Sequence, residues 1–266
     1  MNTVRDLFLS GKSFEATEIR NSLFRENEPE LYSKIEMERS KLFQNSEYVN
    51  IVDSLNSVVN DSDFRLSTEW RIKSPASILD SLNSPRENET TIDAIRDLLG
   101  YRFWIDCGSF SEFPERMLSL TSLILAKVGE ICNLDYIRLS DSTDHPYQRV
   151  SLHYKIESIP IEILVMNQMF QSAFNRTLYP MWEGHTKGRF DVTDIPFPFG
   201  ENERDYLWGI VCHALHNQSA TLPFDSLCEC KDNCKFRMQF QDVDFDDIRE
   251  RMEMMATQYG GDFVFG

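Results

Sequence analysis

Two neighbouring segments with apolar residues at every second position constrain the fold of this chain most. Alternate residues of a β-strand point to opposite faces of a sheet, so each segment predicts a strand with one apolar face. The residues between them, Glu157 and Ser158, predict the turn of a hairpin. The apolar positions are Val150, Leu152, Tyr154 and Ile156 in the first arm and Ile159, Ile161, Ile163 and Val165 in the second.

The opposite face of this hairpin is rich in polar and titratable groups. In the predicted strand over 101–106, alternation likewise places Arg102 on the face opposite the apolar residues Tyr101, Phe103 and Ile105. A solvated sheet face has a similar composition, so a functional site and a solvated face both fit the pattern. The hairpin residues concerned are Arg149, Ser151, His153, Lys155 and Glu162.

The remaining segments alternate between helical and strand periodicity. This alternation favours an α/β (α+β) fold in which helices flank a mixed, mostly antiparallel β-sheet. The predicted helices lie within 1–48, with a break near Pro29, and at 48–59, 74–82, 92–98, 113–128, 167–190, 201–217 and 245–256. The further predicted strands lie at 64–73, 101–106, 131–139, 236–240 and 263–265.

The chain is acidic, with 27 Lys and Arg against 43 Asp and Glu and a net charge of −16. Nucleic-acid surfaces need clustered cations, so we expect no broad nucleic-acid binding, although a local basic pocket for a nucleotide remains open. No apolar run reaches the roughly 18 residues that cross a bilayer. The first residues lack the apolar core of a signal peptide, so we expect a cytoplasmic protein without a membrane partner.

Three cysteines lie close together, at Cys228, Cys230 and Cys234. With His213 and His216 they could supply zinc ligands. Their spacing differs from that of a standard zinc knuckle, so free thiols on a polar loop are the favoured interpretation.

A basic segment precedes an acidic one in the first half of the chain. Pro75 disfavours a helical conformation at the residue before it and is tolerated at the first position of a helix. Cations and hydroxyls followed by an acid suit a phosphate-rich ligand together with its divalent metal. The residues are Arg71, Lys73, Ser74 and Ser77, then Asp97 and Arg102.

Four segments, in this order, resemble the motifs of the RelA/SpoT-type nucleotidyltransferase (alarmone synthetase) domain. They are Arg71-Ile-Lys-Ser-Pro-Ala-Ser-Ile-Leu, Asp97-Leu-Leu-Gly-Tyr-Arg, Ser151-Leu-His-Tyr and Ile161-Glu-Ile. The family pattern runs R-x-K-S-x-x-S-I, D-L-x-G-x-R, G-Y-x-S-x-H and V-E-I-Q-x-R-T. A later segment around His185 is similar to the family's x-E-H-x-x-x-Y. The resemblance implies a central synthetase domain over 49–195, between a helical N-terminal extension over 1–48 and a small α/β C-terminal extension over 196–266.

The resemblance implies transfer of pyrophosphate from ATP to the ribose 3′-hydroxyl of a nucleotide. It implies that Arg71 and Arg102 flank the adenine, while Lys73, Ser74 and Ser77 hold phosphates. Guanidinium groups stack on planar rings and lysine acts as a point charge on phosphate, in agreement with these roles. Asp97 and Glu162 would bind Mg²⁺, and Glu162 would accept the proton of the attacking hydroxyl. The implied catalytic set is Glu162, Asp97 and Arg102.

The acceptor side departs from the family pattern. Arg149 stands where the family has the tyrosine that stacks on the acceptor base, and Tyr147 lies two residues earlier. The glutamine, arginine and threonine expected after the second carboxylate are Leu164, Met166 and Asn167. The residues implied for the acceptor are Tyr147, Arg149, Ser151, His153, Lys155 and His185.

We expect ATP and a purine nucleotide as partners, with guanosine and adenosine acceptors both open. A tRNA 3′ end is a less favoured acceptor because of the charge of −16. The alternative is a catalytically altered module that binds nucleotides or a protein partner through residues 200–266. A neutralising or regulatory protein, a homo-oligomer and a toxin or stress-effector role also remain open. No hydrolase motif is present, so synthesis without hydrolysis is expected.

Overall fold

The computed structural model describes residues 13–83, 91–107, 112–140, 149–156, 159–168 and 245–265. The helices of this part are α1 (Ser13–Asn27), α2 (Pro29–Phe43), α3 (Ser46–Asp61), α4 (Pro75–Asn83), α5 (Phe113–Val128) and α6 (Phe245–Gln258). The strands are β1 (Leu66–Ile72), β2 (Leu99–Ile105), β3 (Leu134–Ser140), β4 (Arg149–Ile156), β5 (Ile159–Asn167) and β6 (Asp262–Phe265).

The strands form one 6-stranded sheet in the order β1-β2-β5-β4-β3-β6. The pairs β1–β2, β5–β4 and β4–β3 are antiparallel, whereas β2–β5 and β3–β6 are parallel. The predicted fold class, a mixed and mostly antiparallel sheet flanked by helices, is therefore confirmed. The predicted hairpin is the β4–β5 pair, with Leu152 opposite Ile163.

One face of the sheet is apolar and carries the core. Tyr101, Ile163 and Leu152 stand side by side on three neighbouring strands and are at most 2% exposed. Helices α5 and α6 pack against the sheet, and α3 packs against α5. The other sheet face carries most of the polar side chains of these strands, together with the buried Trp104, Leu164 and Met166.

Helix α3 shows how local sequence fixes these helices. The side chain of Asn45 accepts hydrogen bonds from the backbone N–H groups of Glu47 (2.9 Å) and Tyr48 (3.1 Å), which caps the N-terminus. The buried residues Tyr48, Ile51, Leu55 and Val58 then recur at intervals of three and four, which is the spacing of one helix face.

The helix predicted over 92–98 was wrong. The chain forms a 3-10 turn at Ile92–Ala94, and Ile95 is already extended, with φ −70° and ψ 111°. The buried residues Ile95, Leu98 and Leu99 have the spacing of one helix face, so the apolar pattern alone does not distinguish this segment from a helix. The helices predicted over 167–190 and 201–217 and the strand over 236–240 lie outside the described residues.

The last helix and strand join the main sheet. Strand β6 pairs in parallel with β3, and Ile248, Met252 and Ala256 of α6 belong to the same buried core as the central strands. The sequence pattern gave the helix and the strand but not this attachment. The predicted domain boundaries stay a prediction.

The packing of α3 gives a first test. Leu55→Ala should lower the free energy of unfolding by about 2–5 kcal/mol, because it leaves a cavity at a residue that is 1% exposed. The matched control is Val49→Ala on the same helix, where the side chain is 45% exposed and we expect a change within about 0.5 kcal/mol. Urea unfolding followed by circular dichroism measures both, and equal effects would contradict this packing.

Candidate active site

The strand register places polar side chains in two rows across the second face of the sheet. Paired residues on neighbouring strands carry their side chains on the same face. The first row is Arg71, Gly100, Glu162, His153 and Tyr136. The second row is Glu69, Arg102, Leu164, Ser151 and Arg138.

Glu162 lies in the middle of the first row and is 21% exposed. Burial raises the pKa of its carboxyl group, and the negative charge of Asp97 raises this pKa further. Arg149, Arg102 and Arg71 act in the opposite direction. Two carboxylates, distant in sequence, thus repel each other within a group of arginines, which is an arrangement that a divalent cation would relieve.

Two contacts hold Asp97 beside Lys73, one from the side chain of Lys73 and one from its backbone. Its Oδ1 atom lies 2.5 Å from Nζ of Lys73, and the two side chains are 20% and 11% exposed. The backbone N–H of Lys73 donates a 2.9 Å hydrogen bond to the carbonyl of Leu98, the neighbour of Asp97. The predicted phosphate ligand and the predicted metal ligand therefore neutralise each other in this structure.

Arg71 and Arg102 occupy neighbouring strands, one row apart. Arg71 is paired with Gly100, and Arg102 is paired with Glu69, from which its guanidinium lies 3.6 Å. Diagonal neighbours in a sheet are about 7–8 Å apart and within reach of long side chains. Gly100, between Arg71 and Glu162 in this row, adds no side chain to the surface. The implied role of Arg71 and Arg102 on either side of the adenine stays a prediction.

Ser74 and Ser77 begin helix α4. The hydroxyl oxygen of Ser74 accepts a 3.3 Å hydrogen bond from the backbone N–H of Ser77, and the two hydroxyl oxygens lie 3.0 Å apart. This bond is an N-cap, which satisfies one donor of the first helical turn. The phosphate contacts implied for these two serines stay a prediction.

His153 is buried between Glu162 and Tyr136. Its Nε2 atom lies 3.8 Å from Oε1 of Glu162, and its ring stacks on Tyr136 with a centroid separation of 4.1 Å and an angle of 15°. Burial lowers the pKa of His153 to about 3, and Arg149 and Arg96 contribute in the same direction. The imidazole is therefore neutral at pH 7 in this structure.

The other residues implied for the acceptor are spread along the same face. Ser151 is 1% exposed and lies one row from His153. Arg149 lies one row further, opposite Met166. Lys155 is 54% exposed and pairs with Asp135 at 2.9 Å, at the far end of the strand. Tyr147, His185 and the cysteines Cys228, Cys230 and Cys234 lie outside the described residues.

The structure adds residues to this face that the motifs did not indicate, namely Glu69, Arg96, Tyr136 and Arg138. Period two along residues 134–140 places Tyr136 and Arg138 on one face, but the sequence does not say that β3 pairs with β4. Arg96 directly precedes Asp97 and hydrogen-bonds the side chain of Tyr136.

No group of three or more His, Cys, Asp or Glu side chains that could hold a metal occurs in the described residues. The pair Asp97 and Glu162 still fits Mg²⁺, which takes one or two carboxylates and fills its other positions with water and phosphate oxygens. Within the same residues, no helix is both long and apolar enough to cross a membrane.

In its fold the chain is similar to small alarmone synthetases. Two crystal structures of small alarmone synthetase 1 from Bacillus subtilis match it. The first shares 14% identity at a TM-score of 0.42 and covers 79% of this chain and 100% of its own. The second, bound to its product pppGpp, shares 15% identity at a TM-score of 0.35, over 76% and 95%. No family model matches the chain, and no curated protein matches it significantly. Because both TM-scores are low, these likenesses carry no inference about activity.

The lowered pKa of His153 predicts a pH dependence of stability. The ordinary pKa of 6.5 falls to about 3 on folding, so the unfolded chain binds a proton that the native chain does not. Stability from this residue is present above pH 6.5 and is lost as pH falls towards 3, by up to about 1.4 kcal/mol per pH unit.

The measurement is urea unfolding of the wild type and of His153→Gln at a series of pH values, in buffer with a metal chelator. The raised pKa of Glu162 has the opposite effect on stability but is common to both proteins, so the difference between the two curves reports on His153. Parallel curves between pH 6.5 and 4 would show that the imidazole is not held neutral.

Proposed function

We propose that this protein transfers pyrophosphate from ATP to the ribose 3′-hydroxyl of a purine nucleotide. The observation that carries the proposal is the position of Glu162. Its largely buried carboxyl group has a raised pKa, to which the charge of Asp97 contributes, and it lies between arginines on both sides. A base with cations on both sides suits a reaction in which two phosphorylated substrates meet.

Arg71 and Arg102 would hold the adenine of ATP between their guanidinium planes. Lys73 would bind the phosphates as a point charge after it leaves Asp97, from which its nitrogen lies 2.5 Å away. Asp97 and Glu162 would hold Mg²⁺, which, when bound, lowers the negative charge that develops on the phosphate oxygens.

The reaction needs few covalent contributions from the protein. The acceptor 3′-oxygen attacks the β-phosphorus of ATP, the bond from that phosphorus to the α–β bridging oxygen breaks, and AMP leaves with this oxygen. Glu162 accepts the proton that the hydroxyl loses. Positioning of the two substrates and stabilisation of charge supply most of the acceleration in phosphoryl transfer. Because the reaction consumes ATP, we expect the protein to act in the cytoplasm.

Replacement of the proposed base gives the direct test. With ATP, Mg²⁺ and a guanosine or adenosine nucleotide, the wild type should release AMP, and Glu162→Gln should lower kcat by about 10²–10⁴-fold, since glutamine accepts no proton. The control is Glu253→Gln, an exposed carboxylate on α6, which packs against the other side of the sheet. Chromatography with mass detection identifies AMP and the pyrophosphorylated product.

A wild type that binds nucleotides but releases no AMP with any acceptor would contradict the proposed enzyme and support the binding module. Equal rates for the wild type and Glu162→Gln would remove Glu162 from the mechanism.

Lys73→Met tests whether Asp97 exchanges its ion pair with Lys73 for Mg²⁺ when ATP binds. Without the ammonium group, Asp97 should bind Mg²⁺ in the absence of nucleotide several-fold more tightly, because no cation competes for its carboxylate. The KM for ATP should rise at least about 10-fold, because a charge-assisted contact to phosphate is lost.

Lys127→Met is the matched control, since it breaks a comparable ion pair of 2.7 Å with Asp61, away from the polar face. Calorimetry of Mg²⁺ binding and steady-state kinetics give the two readouts. Unchanged Mg²⁺ affinity in Lys73→Met would show that Asp97 is not a metal ligand.

A further inference from the structure

A cavity of about 540 Å³ lies between helix α2, the end of α4, the 3-10 turn at Ile92–Ala94 and the start of β5. Pockets that bind small molecules measure about 300–1,000 Å³ and are mostly apolar, with a few polar groups. Leucine and isoleucine form most of the lining, and its polar members among the described residues are Lys34, Glu38, Lys41 and Thr91. None of the described lining residues belongs to the candidate active site.

The two main walls of this cavity belong to the folded core. Ile35 of α2 is 0% exposed, and Leu98, just before β2, is 1% exposed. The backbone N–H of Leu98 donates a 3.0 Å hydrogen bond to the carbonyl of Ile95, and its own carbonyl accepts a 2.9 Å bond from the N–H of Lys73. The cavity therefore has its walls in place before any ligand binds.

Four apolar side chains that line the cavity are only partly buried, and they come from four different elements. They pack against the core without being enclosed by it. Burial of apolar area is favourable in proportion to the area removed from water. An aliphatic ligand would therefore bury surface that the fold leaves exposed. The four residues are Leu31 of α2, Leu82 of α4, Ile92 of the 3-10 turn and Ile159 of β5.

The rim of the cavity on α2 carries charges of both signs. Lys34 and Lys41 are seven residues apart, so they lie on the same side of the helix, about 10 Å from each other. Glu38 lies between them, and its Oε1 atom is 2.7 Å from Nζ of Lys41. Lys34 makes no ion pair with another described residue. In this part of the chain, Lys34 is thus the cation at the rim that can pair with an anionic group.

The lining selects against a nucleotide. Its described residues include no aromatic ring on which a base could stack and no arginine that could hold a phosphate with two hydrogen bonds. Glu38 at the rim and the net charge of −16 both disfavour a polyanion. A single negative charge at the end of an aliphatic chain matches both the lysine and the apolar walls.

We propose that this cavity binds a medium-chain aliphatic carboxylate. The chain lies against the leucine and isoleucine side chains, and the carboxylate lies beside Lys34. This binding does not depend on the pyrophosphate transfer proposed above, so each of the two is tested separately.

The test is calorimetry of the full chain with the linear carboxylates of six, eight, ten and twelve carbons, each below its micelle concentration. The uncharged probe is 1-decanol. Affinity should rise by up to about 4-fold for each added CH₂ until the cavity is filled. Decanoate should bind more tightly than 1-decanol, because only the carboxylate pairs with Lys34.

Two tryptophan variants on α2 locate the site. Leu31→Trp places a larger side chain in the cavity and should weaken decanoate at least about 10-fold, since it removes the space of several CH₂ groups. The matched control is Met37→Trp, at a residue that is 55% exposed and outside the lining, where affinity should not change. Thermal unfolding without ligand shows whether both variants keep the fold.

Two charge variants test the position of the carboxylate. Lys34→Met should weaken decanoate about 2–5-fold, as expected for an exposed ion pair. Glu38→Gln should strengthen it by a similar factor, because a like charge is removed and Lys41 is released from its ion pair. Neither variant should change the affinity for 1-decanol, whereas a general effect on the fold would change both probes together.

Three results would overturn the inference: an affinity that does not rise with chain length, equal losses in Leu31→Trp and Met37→Trp, or equal responses of decanoate and 1-decanol to the charge variants. If Leu31→Trp does not fold, the opposite shifts expected for Lys34→Met and Glu38→Gln still decide whether the carboxylate lies at this rim.

Discussion

The electrostatic relation between Asp97 and Glu162 is the constraint on which the rest of the candidate site depends. A largely buried carboxylate with a second carboxylate nearby is unfavourable, and burial and Asp97 both raise the pKa of Glu162. The protein offsets this cost in two ways. Lys73 pairs with Asp97, and arginines on both sides act on Glu162. Buried charges of this kind add little to the stability of a core. In a site that binds a metal and phosphates, the carboxylates would bind the metal and the arginines and lysine would bind the phosphates.

The sheet topology brings these charges together. The parallel pairing of β2 with β5 sets Gly100 beside Glu162, and the antiparallel pairing of β1 with β2 sets Arg71 on the other side of Gly100. The hairpin then adds His153 opposite Glu162. A shift of one residue in any of these registers would turn the polar side chains into the apolar core, so core packing on the other face fixes the site geometry.

Sequence periodicity gave the elements whose signal is local. Helix α5 and both hairpin arms followed from apolar spacing, because α5 has one buried apolar stripe and each arm has apolar residues at every second position on the core face. The 3-10 turn at Ile92–Ala94 was mistaken for the start of a helix, since the three buried residues Ile95, Leu98 and Leu99 have helical spacing. The pairings of β2 with β5 and of β3 with β6 are contacts between distant segments, on which periodicity carries no information. The motifs indicated Asp97 and Glu162 directly. Arg96 and Tyr136 belong to no motif used in the sequence analysis, and only the strand pairing and contacts of the structure bring them to this face.

The acidic character of the chain bears on which form of the substrates it can bind. A net charge of −16 opposes the approach of nucleotide polyphosphates, but exposed charges beyond about 8–10 Å are largely screened at physiological ionic strength. Inside that distance, Arg71 and Arg102 lie on one side of Glu162, and Arg149 and Arg138 on the other. In the proposed reaction, complexation of ATP with Mg²⁺ would lower the negative charge that the rest of the protein repels, and it would bring a divalent cation to Asp97 and Glu162. The proposal therefore favours binding of the metal–nucleotide complex over binding of either component separately.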